Sequence, residues 1–392
     1  MTIETMLVTG SGGLIGSEAV RHFASQGITV HGIDNDMRFR FFHDPGASTK
    51  SMIEDHKKRF GKRYIHHNTD IRDYKSIEKI FSKFGFDAII HTAAQPSHDW
   101  PAVDAIRKNE RSANPFLKLL DVSGPMTDFS VNQLGTLVLL EATRKFCPNA
   151  AFIYTSTNKV YGDMPNKLPL VELKTRWELS KEHPFFEGIS ESMELDMHQT
   201  GSLYKEHAPV VRSLFGVNKL GAESMVLEYG RNEELAGGKA LKTAAFRGGC
   251  LTGPAHAGTK LHGFLAYLVK CIFNGTQYVV NGYKGKQVRD NIHCSDVISA
   301  FDAFIADPRP GEVYNIGGGR FSNTSMIEAI GFIEQVFGKK GHISFSDKNR
   351  TGDHIWYISD MSKFRKHYPG WIQQYDGQRI LTEICEAVKL AN

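Results

Sequence analysis

The chain has 392 residues, 41% of them apolar and 23% charged, enough to bury one large core or a main domain with a smaller companion. Its net charge of +4, with the basic residues dispersed, is too mild to argue for nucleic acid. No apolar run approaches the ~20 residues that span a bilayer. The five cysteines (Cys147, Cys250, Cys271, Cys294, Cys385) form no CxxC pair and no metal-ligand spacing. With no signal peptide either, the expectation is a cytoplasmic globular protein without a metal site.

The opening alternates strand and helix. TMLVTG reads as a short apolar strand, GSGGLIGSEAVRHFASQG as a glycine turn feeding an amphipathic helix, and ITVHGIDND as a second strand. Residues 37–62 are basic and aromatic and read as a surface insertion. RYIHHNTD and DAIIHTAA are further strands. A second surface insertion, residues 97–127, precedes the helical FSVNQLGTLVLLEATRKF and the strand AAFIYTST. Residues 163–208 form a third, polar, Pro-containing insertion. GVNKLGAESMVLEYG then reads as a helix and KTAAFRGG as a strand. This rhythm predicts an α/β fold: a Rossmann-like doubly wound parallel sheet over residues 1–250, with some later segments returning to it. Residues 251–392, where the rhythm loosens, form mainly a smaller second domain.

The strongest local signal is VTGSGGLIGS. Gly10, Gly13 and Gly16 end a strand and open a helix, the context a dinucleotide fingerprint requires. The first permits a tight turn, the second lets backbone approach a pyrophosphate, and the third allows close helix–strand packing. Leu14 and Ile15 open the helix whose N-terminus attracts phosphate. Asp34, at the end of the second strand, stands where a carboxylate binds the adenosine ribose and repels a 2′-phosphate. NAD is therefore expected, with Arg38 and Arg40 leaving NADP as the alternative.

The glycine spacing TGxxGxxG, together with NTD-I (Asp70, Ile71), HTAAQ (His91 to Gln95) and STNKVYGD (Ser156 to Asp163), resembles the extended short-chain dehydrogenase/reductase family. GKQVRDNIHCSDV and VYNIGGG resemble its nucleotide-sugar epimerase/dehydratase branch, and STNKVYGD and GKQVRD its CDP-sugar epimerases. The resemblance implies that Asp70 and Ile71 lie near the adenine. It places Ala93, Ala94 and Gln95 along the diphosphate and nicotinamide ribose. Thr157 falls on the catalytic Ser/Thr, and the YxxxK pair falls on Phe215 and Lys219. Arg289 and Arg350 match arginines that bind the sugar nucleotide, residues 251–392 its binding domain, and the family is commonly homodimeric.

Phe215 departs from that pattern, because the tyrosine normally serves as the base for hydride transfer from a sugar carbon to NAD. Its pKa of ~10 falls toward neutrality beside the lysine. Here Lys219 keeps its ribose-binding role or, if buried, acts itself. Tyr161, Tyr204, His207 and Cys250 are other candidates for the proton relay. Thr157, Asn158 and Lys159 stand where the dehydratases carry Thr-Asp-Glu, so standard dehydration is not expected. Lys159 is either an electrophile or anion contact, or a plain strand-end lysine. Arg289 reads as a loop residue that clamps a phosphate or pairs with Asp290 at the surface. The function expected is an NAD-dependent nucleotide-sugar epimerase. A modified dehydratase or reductase of a keto sugar, and a non-catalytic NAD/sugar-nucleotide-binding protein, are the alternatives.

Overall fold

A computed structural model of the protein describes residues 3–195, 213–256, 258, 263–350 and 352–390. The chain divides into two compact units and passes between them several times. The first comprises Met1–Ser156, Val217–Phe246 and Val297–Tyr314; the second comprises Thr157–Gly216, Arg247–Asp296 and Asn315–Asn392. Strands and helices are numbered in chain order.

The first unit is built on a seven-stranded sheet. Its strands are β1 (Thr5–Thr9), β2 (Thr29–Ile33), β3 (Tyr64–His67), β4 (Ala88–His91), β5 (Ala151–Thr157), β8 (Lys242–Gly248) and β12 (Glu312–Ile316). The order is β12-β8-β5-β4-β1-β2-β3. β1 pairs in parallel with both β2 and β4, Val8 lying opposite Gly32 on one side and Ile90 on the other. The order reverses there, and in open α/β sheets the carboxyl ends at such a point form the ligand crevice. Met6, Leu7, Val8, Ile89 and Ile90 are wholly buried. A parallel strand covered on both faces needs such an uninterrupted apolar run, which is why these strands were legible.

Helices of this unit are α1 (Leu14–Ser25), α2 (Met37–Phe42), α3 (Lys50–Phe60), α4 (Tyr74–Phe84), α5 (Trp100–Val103), α6 (Pro115–Leu120), α7 (Gly124–Phe129) and α8 (Gly135–Phe146). The long α9 (Leu214–Arg231) continues into it, and α11 (Cys294–Ala306) lies largely within it. The two insertions expected at the surface are in fact rooted in the core. Met37 and Phe41, four apart on α2, are buried there with Trp100 and Ile106. Their polar neighbours had masked that spacing. Ser213 caps α9, its Oγ accepting from the backbone N–H of Gly216 at 3.2 Å.

In the second unit β6 (Val171–Glu172) and β7 (Trp177–Glu178) form a short hairpin. β9 (Cys250–Thr252), β11 (Val288–His293), β13 (Asn323–Ser325) and β15 (Trp356–Tyr357) form a sheet around β11, and β10 (Tyr278–Asn281) pairs with β14 (Ile343–Ser346). α10 (Phe264–Asn274), α12 (Met326–Phe337) and α14 (Gly377–Leu390) share an apolar core through Leu268, Ile272, Ile333 and Ile384. α13 (Ser362–His367) is a single short helix beside them in sequence. Among the described residues no helix is long and apolar enough to cross a membrane.

Candidate functional site

The turn after β1 forms a cradle with no room for a side chain at Gly10 or Gly16. Gly10 adopts φ +69°, and a Cβ on Gly16 would lie 2.1 Å from the Gly10 carbonyl oxygen. Gly13 is the N-cap of α1 and supplies no side-chain cap, so the first-turn N–H groups of Leu14, Ile15 and Gly16 stay available to an anion. Asp34 is tied into the turn. Its Oδ2 accepts from the N–H of Gly12 at 3.0 Å, and its Oδ1 accepts from the Asp36 N–H and the Thr49 hydroxyl, both at 2.9 Å. A carboxylate has about four acceptor positions, so ribose hydroxyls can still be received.

A cavity of about 680 Å³ opens beside Asp34, lined also by Asp36, Phe39, Arg40, Asp70 and, from the second insertion, Arg111. Asp70 also receives the Arg72 guanidinium at 2.8 Å. That group reaches the buried Asp121 at 2.8 Å as well. Burial works against the Asp70 charge, yet Arg72 holds its carboxyl below the usual range. Ile71 is buried against Gly135. The backbone N–H of Ala93 donates to Thr9 Oγ1 at 3.2 Å, and Ala94 is half-buried beside it in the same loop. The residues present fit an adenine dinucleotide at its adenosine and diphosphate ends.

Gln95 differs from its expected place along the cofactor. Its amide is wholly buried, donating to Asp128 Oδ2 at 2.6 Å and to the Ser97 carbonyl at 2.7 Å. It belongs to a network around a π-helical turn, Ser130–Leu134, inserted between α7 and α8. Such turns add one residue per loop of backbone and re-aim side chains. Here Asn132 Oδ1 accepts from the Gln95 backbone N–H at 3.2 Å, and Gln133 donates to Asn218 at 2.8 Å. Asn218 in turn donates to Asp128 Oδ1. Burial raises the Asp128 carboxyl above its ordinary range.

Next to Asn218 on α9 is Lys219, 4% exposed, its Nζ 4.3 Å from the centroid of the Tyr154 ring. Tyr154 donates to the Lys219 carbonyl at 3.4 Å. Burial pushes the amine down to about 7, opposed by Asp128 and Glu223. His91 hydrogen-bonds Thr9 and Thr136 through its two ring nitrogens, and burial followed by Lys219 pushes it down to about 3. It is a neutral packing residue. Phe215, one turn before Lys219 on the same helix face, is buried.

The second unit gathers a separate polar cluster. Lys159 Nζ donates to the Gly352 carbonyl at 2.9 Å and lies 3.6 Å from Asp353 Oδ1. Arg289 donates to the same Oδ1 at 2.6 Å. Arg289 therefore stands on β11, not in a loop, and its ion pair is with Asp353 rather than with Asp290. Burial lowers the Lys159 amine, countered by Asp353. Burial also opposes the Arg289 charge, but Asp353 and Cys250 leave it above its usual value. Arg350, half-buried, adds a further cation whose field reaches Lys159. Thr157 ends β5 and caps the 3-10 turn Asn158–Tyr161, its Oγ1 accepting from the Lys159 N–H at 3.2 Å. Asn158 is buried within that turn.

Two of the proposed proton relays are removed by this geometry. Burial pushes the Cys250 thiol up to about 12, so it holds its proton at neutral pH. Tyr161, pushed up to about 12 by burial, donates to Asn315 Oδ1 at 2.8 Å and accepts from Arg247 at 3.0 Å, which makes it a packing tyrosine. Tyr204 and His207 lie outside the described residues.

Asp290 is wholly buried on β11. Its Oδ2 accepts from the N–H groups of Ser359 at 2.9 Å and Gly319 at 3.2 Å. Burial pushes its carboxyl up to about 6. The folded state thus binds this proton more tightly than the unfolded chain, whose carboxyl titrates near ~3.9. Its stabilising contribution is full below about pH 4 and is lost as pH rises through about 6. Asp290→Asn should remove that slope, flattening denaturant-unfolding free energy between pH 4 and 7 by about 3 kcal/mol. An unchanged slope would place the titration elsewhere.

Asp353, Asp128, Asn218 and Tyr154 were not singled out in the sequence. Asp353 directly follows Thr351-Gly352 in a polar loop, and the others belong to helix and strand runs whose polar members carry no spacing of their own. The model of the NAD dependent epimerase/dehydratase family matches residues 6–125 and 196–317. CDP-paratose 2-epimerase of Salmonella typhi is 28% identical over 336 residues, covering 84% of this chain and 83% of that protein. It is a CDP-sugar epimerase, as the STNKVYGD and GKQVRD motifs anticipate. dTDP-glucose 4,6-dehydratase 1 of Escherichia coli (strain K12) is 25% identical over 321 residues, 80% of this chain and 72% of that one. Among solved structures, UDP-glucuronic acid 4-epimerase from Bacillus cereus in complex with UDP-glucuronic acid and NAD has a TM-score of 0.71. It is 21% identical and covers 99% of this chain and all of that one, a likeness of fold.

Proposed function

Because the chain belongs to the NAD dependent epimerase/dehydratase family, we propose that it is an NAD-dependent nucleotide-sugar epimerase that oxidises its sugar transiently and returns the hydride. The observation that carries this reading is the pairing, in one unit, of the glycine cradle and Asp34 with a fully buried lysine on α9. NAD, when bound, supplies the hydride acceptor and donor. The first turn of α1 holds its diphosphate, and Asp34 takes the adenosine ribose. A 2′-phosphate would meet Asp34 and Asp36 together, which favours NAD over NADP. Ala93 and Ala94 line the cofactor by backbone, while Gln95 braces the network behind it.

In the second unit, Arg289, Arg350 and Lys159 form the surroundings for a substrate diphosphate. Arg289 is suited to bidentate clamping once the Nη2 donor held by Asp353 is released to the phosphate. Lys159 occupies the place of the dehydratase glutamate and carries no carboxyl for eliminating water. Thr157 orients the sugar hydroxyl, and Asn158 braces the turn that carries it.

Incubation with CDP-, UDP- and GDP-sugars in D2O, with NADH absorbance followed, tests the reading. An inverted sugar product with transient NADH is expected. Saturable binding without turnover would replace it with a binding-protein role, and solvent deuterium without inversion with keto-sugar chemistry. Phe215→Tyr should leave NAD affinity within about twofold, since it alters neither the glycine turn nor Asp34. Loss of NAD binding would misplace residue 215.

Phe116, Leu119, Val122, Met126 and Phe129 are 42–67% exposed within one segment of α6 and α7. This run of exposed apolar side chains supports a homodimer formed through α6 and α7. Light scattering should give a dimer, and the double variant Phe116→Glu, Leu119→Glu a monomer. A dimer surviving both changes would move the interface elsewhere. A cytoplasmic setting is supported by the five free cysteines.

A further inference from the structure

We propose that the acid/base of this site is the Lys219 amine itself, with Asp128 as the positioning residue that sets its charge. The inference rests on the epimerase reading and says which group replaces the missing phenol. Phe215 supplies no hydroxyl on the helix face that Lys219 shares. Among the described residues, the Lys219 Nζ has no hydrogen-bond or ion-pair partner; its neighbour is the face of Tyr154. A buried lysine normally survives by clamping a carboxylate. Here two acids lie in range of its charge, and both are engaged by neutral donors.

Asp128 receives Asn218 on one oxygen and Gln95 on the other. Each donor is pinned from behind. Gln95 is held by the Ser97 N–H and carbonyl, and Asn218 by Gln133 of the π-helical turn. Glu223 Oε2 receives the Ser156 hydroxyl at 2.6 Å. The anions therefore act on the amine through space, without accepting a hydrogen bond from it. Among the described residues, the charged and titratable groups facing Lys219 are Asp128 from α7, Glu223 from α9, His91 from β4 and Tyr154 from β5. His91 and Tyr154 stay neutral: burial lowers the first and raises the second. The balance leaves the amine near half-protonated at neutral pH, the state in which one group serves as both base and acid.

The proton bookkeeping closes. With NAD bound to accept the hydride, the carbinol's O–H proton would pass to the Nζ lone pair, the O–H electron pair would form the carbonyl, and the C–H electron pair would leave with the hydride. On return of the hydride to carbon, the ammonium would give that proton to the carbonyl oxygen, regenerating the free amine.

The test uses full-length protein with NAD bound and labelled with [ε-13C]lysine. The Lys219 resonance is assigned by its absence in Lys219→Arg. Titration should give a midpoint near 7, against ~10.4 for free lysine. Asp128→Asn should lower the midpoint by about one pH unit, with the pH profile of kcat moving in parallel. Glu223→Gln provides a second anion removal should that variant not fold, and it too should lower the midpoint. A wild-type midpoint near 10, or one unmoved by both changes, would overturn the proposal. Neither result touches the epimerase reading, which is decided by sugar products; conversely, a panel without turnover leaves the titration readable.

Discussion

Lys219→Met should lower turnover by about 10³-fold while making the protein about 3 kcal/mol more stable at pH 7. The activity loss follows from removing the amine assigned to carry the sugar's proton. The stability gain has the opposite sign because burial depresses the folded amine to about 7. In the unfolded chain the same amine titrates near ~10.4. Between those values the unfolded state holds a proton that the folded state gives up. The lysine's contribution is thus most favourable above about pH 10 and declines as pH falls toward 7. Methionine has the length to fill the space over Tyr154 and carries no charge to desolvate. Urea unfolding at pH 7 and 10 reads both sides: the variant should lead at 7 and the gap should close by 10. A variant no more stable at pH 7 would mean the amine is solvated or paired, and a variant that turns over normally would remove Lys219 from the chemistry. Phe215→Tyr supplies the complementary case, giving back a phenol beside a lysine already poised near neutrality.

Gly16→Ala should abolish measurable NAD binding and cost about 3 kcal/mol or more in stability. The new Cβ would lie 2.1 Å from the Gly10 oxygen and 2.7 Å from its carbonyl carbon. Both are backbone atoms of the turn, which hydrogen-bonds Ile33 through the Gly10 N–H at 2.7 Å. Nothing flexible is available to give way, so α1 must lift from β1. The first-turn N–H groups would then no longer converge on one phosphate. Gly331→Ala on α12 is the matched control, because a Cβ there meets nothing within 4 Å. It should stabilise by about 0.5–1 kcal/mol, as helical glycine to alanine does. Isothermal titration with NAD and thermal unfolding distinguish the two. A Gly16→Ala protein that still binds NAD would show that the cradle relaxes.

The doubly wound sheet and its dinucleotide turn were legible because their causes are local. Buried parallel strands require runs such as MLV and AII, and the turn requires glycine where backbone meets backbone within van der Waals distance. The epimerase/dehydratase family and its NAD dependence were legible for the same reason, through short motifs at chain positions that chemistry constrains. The insertions were misread because Met37, Phe41, Trp100 and Ile106 reveal themselves as core only once the chain has brought them together. The Asp290 pair weighed as the alternative for Arg289 fails for a related reason: Asp290 is adjacent in sequence, but successive side chains on a strand point to opposite faces, and Asp353 arrives from 64 residues away. The sequence by itself determined that position 215 carries no phenol and that Lys219 stands one turn behind it. Only the tertiary structure decided what that lysine can do. Its burial, the Tyr154 face and the occupied oxygens of Asp128 come from four separate segments, and a protonation state is a property of all of them at once.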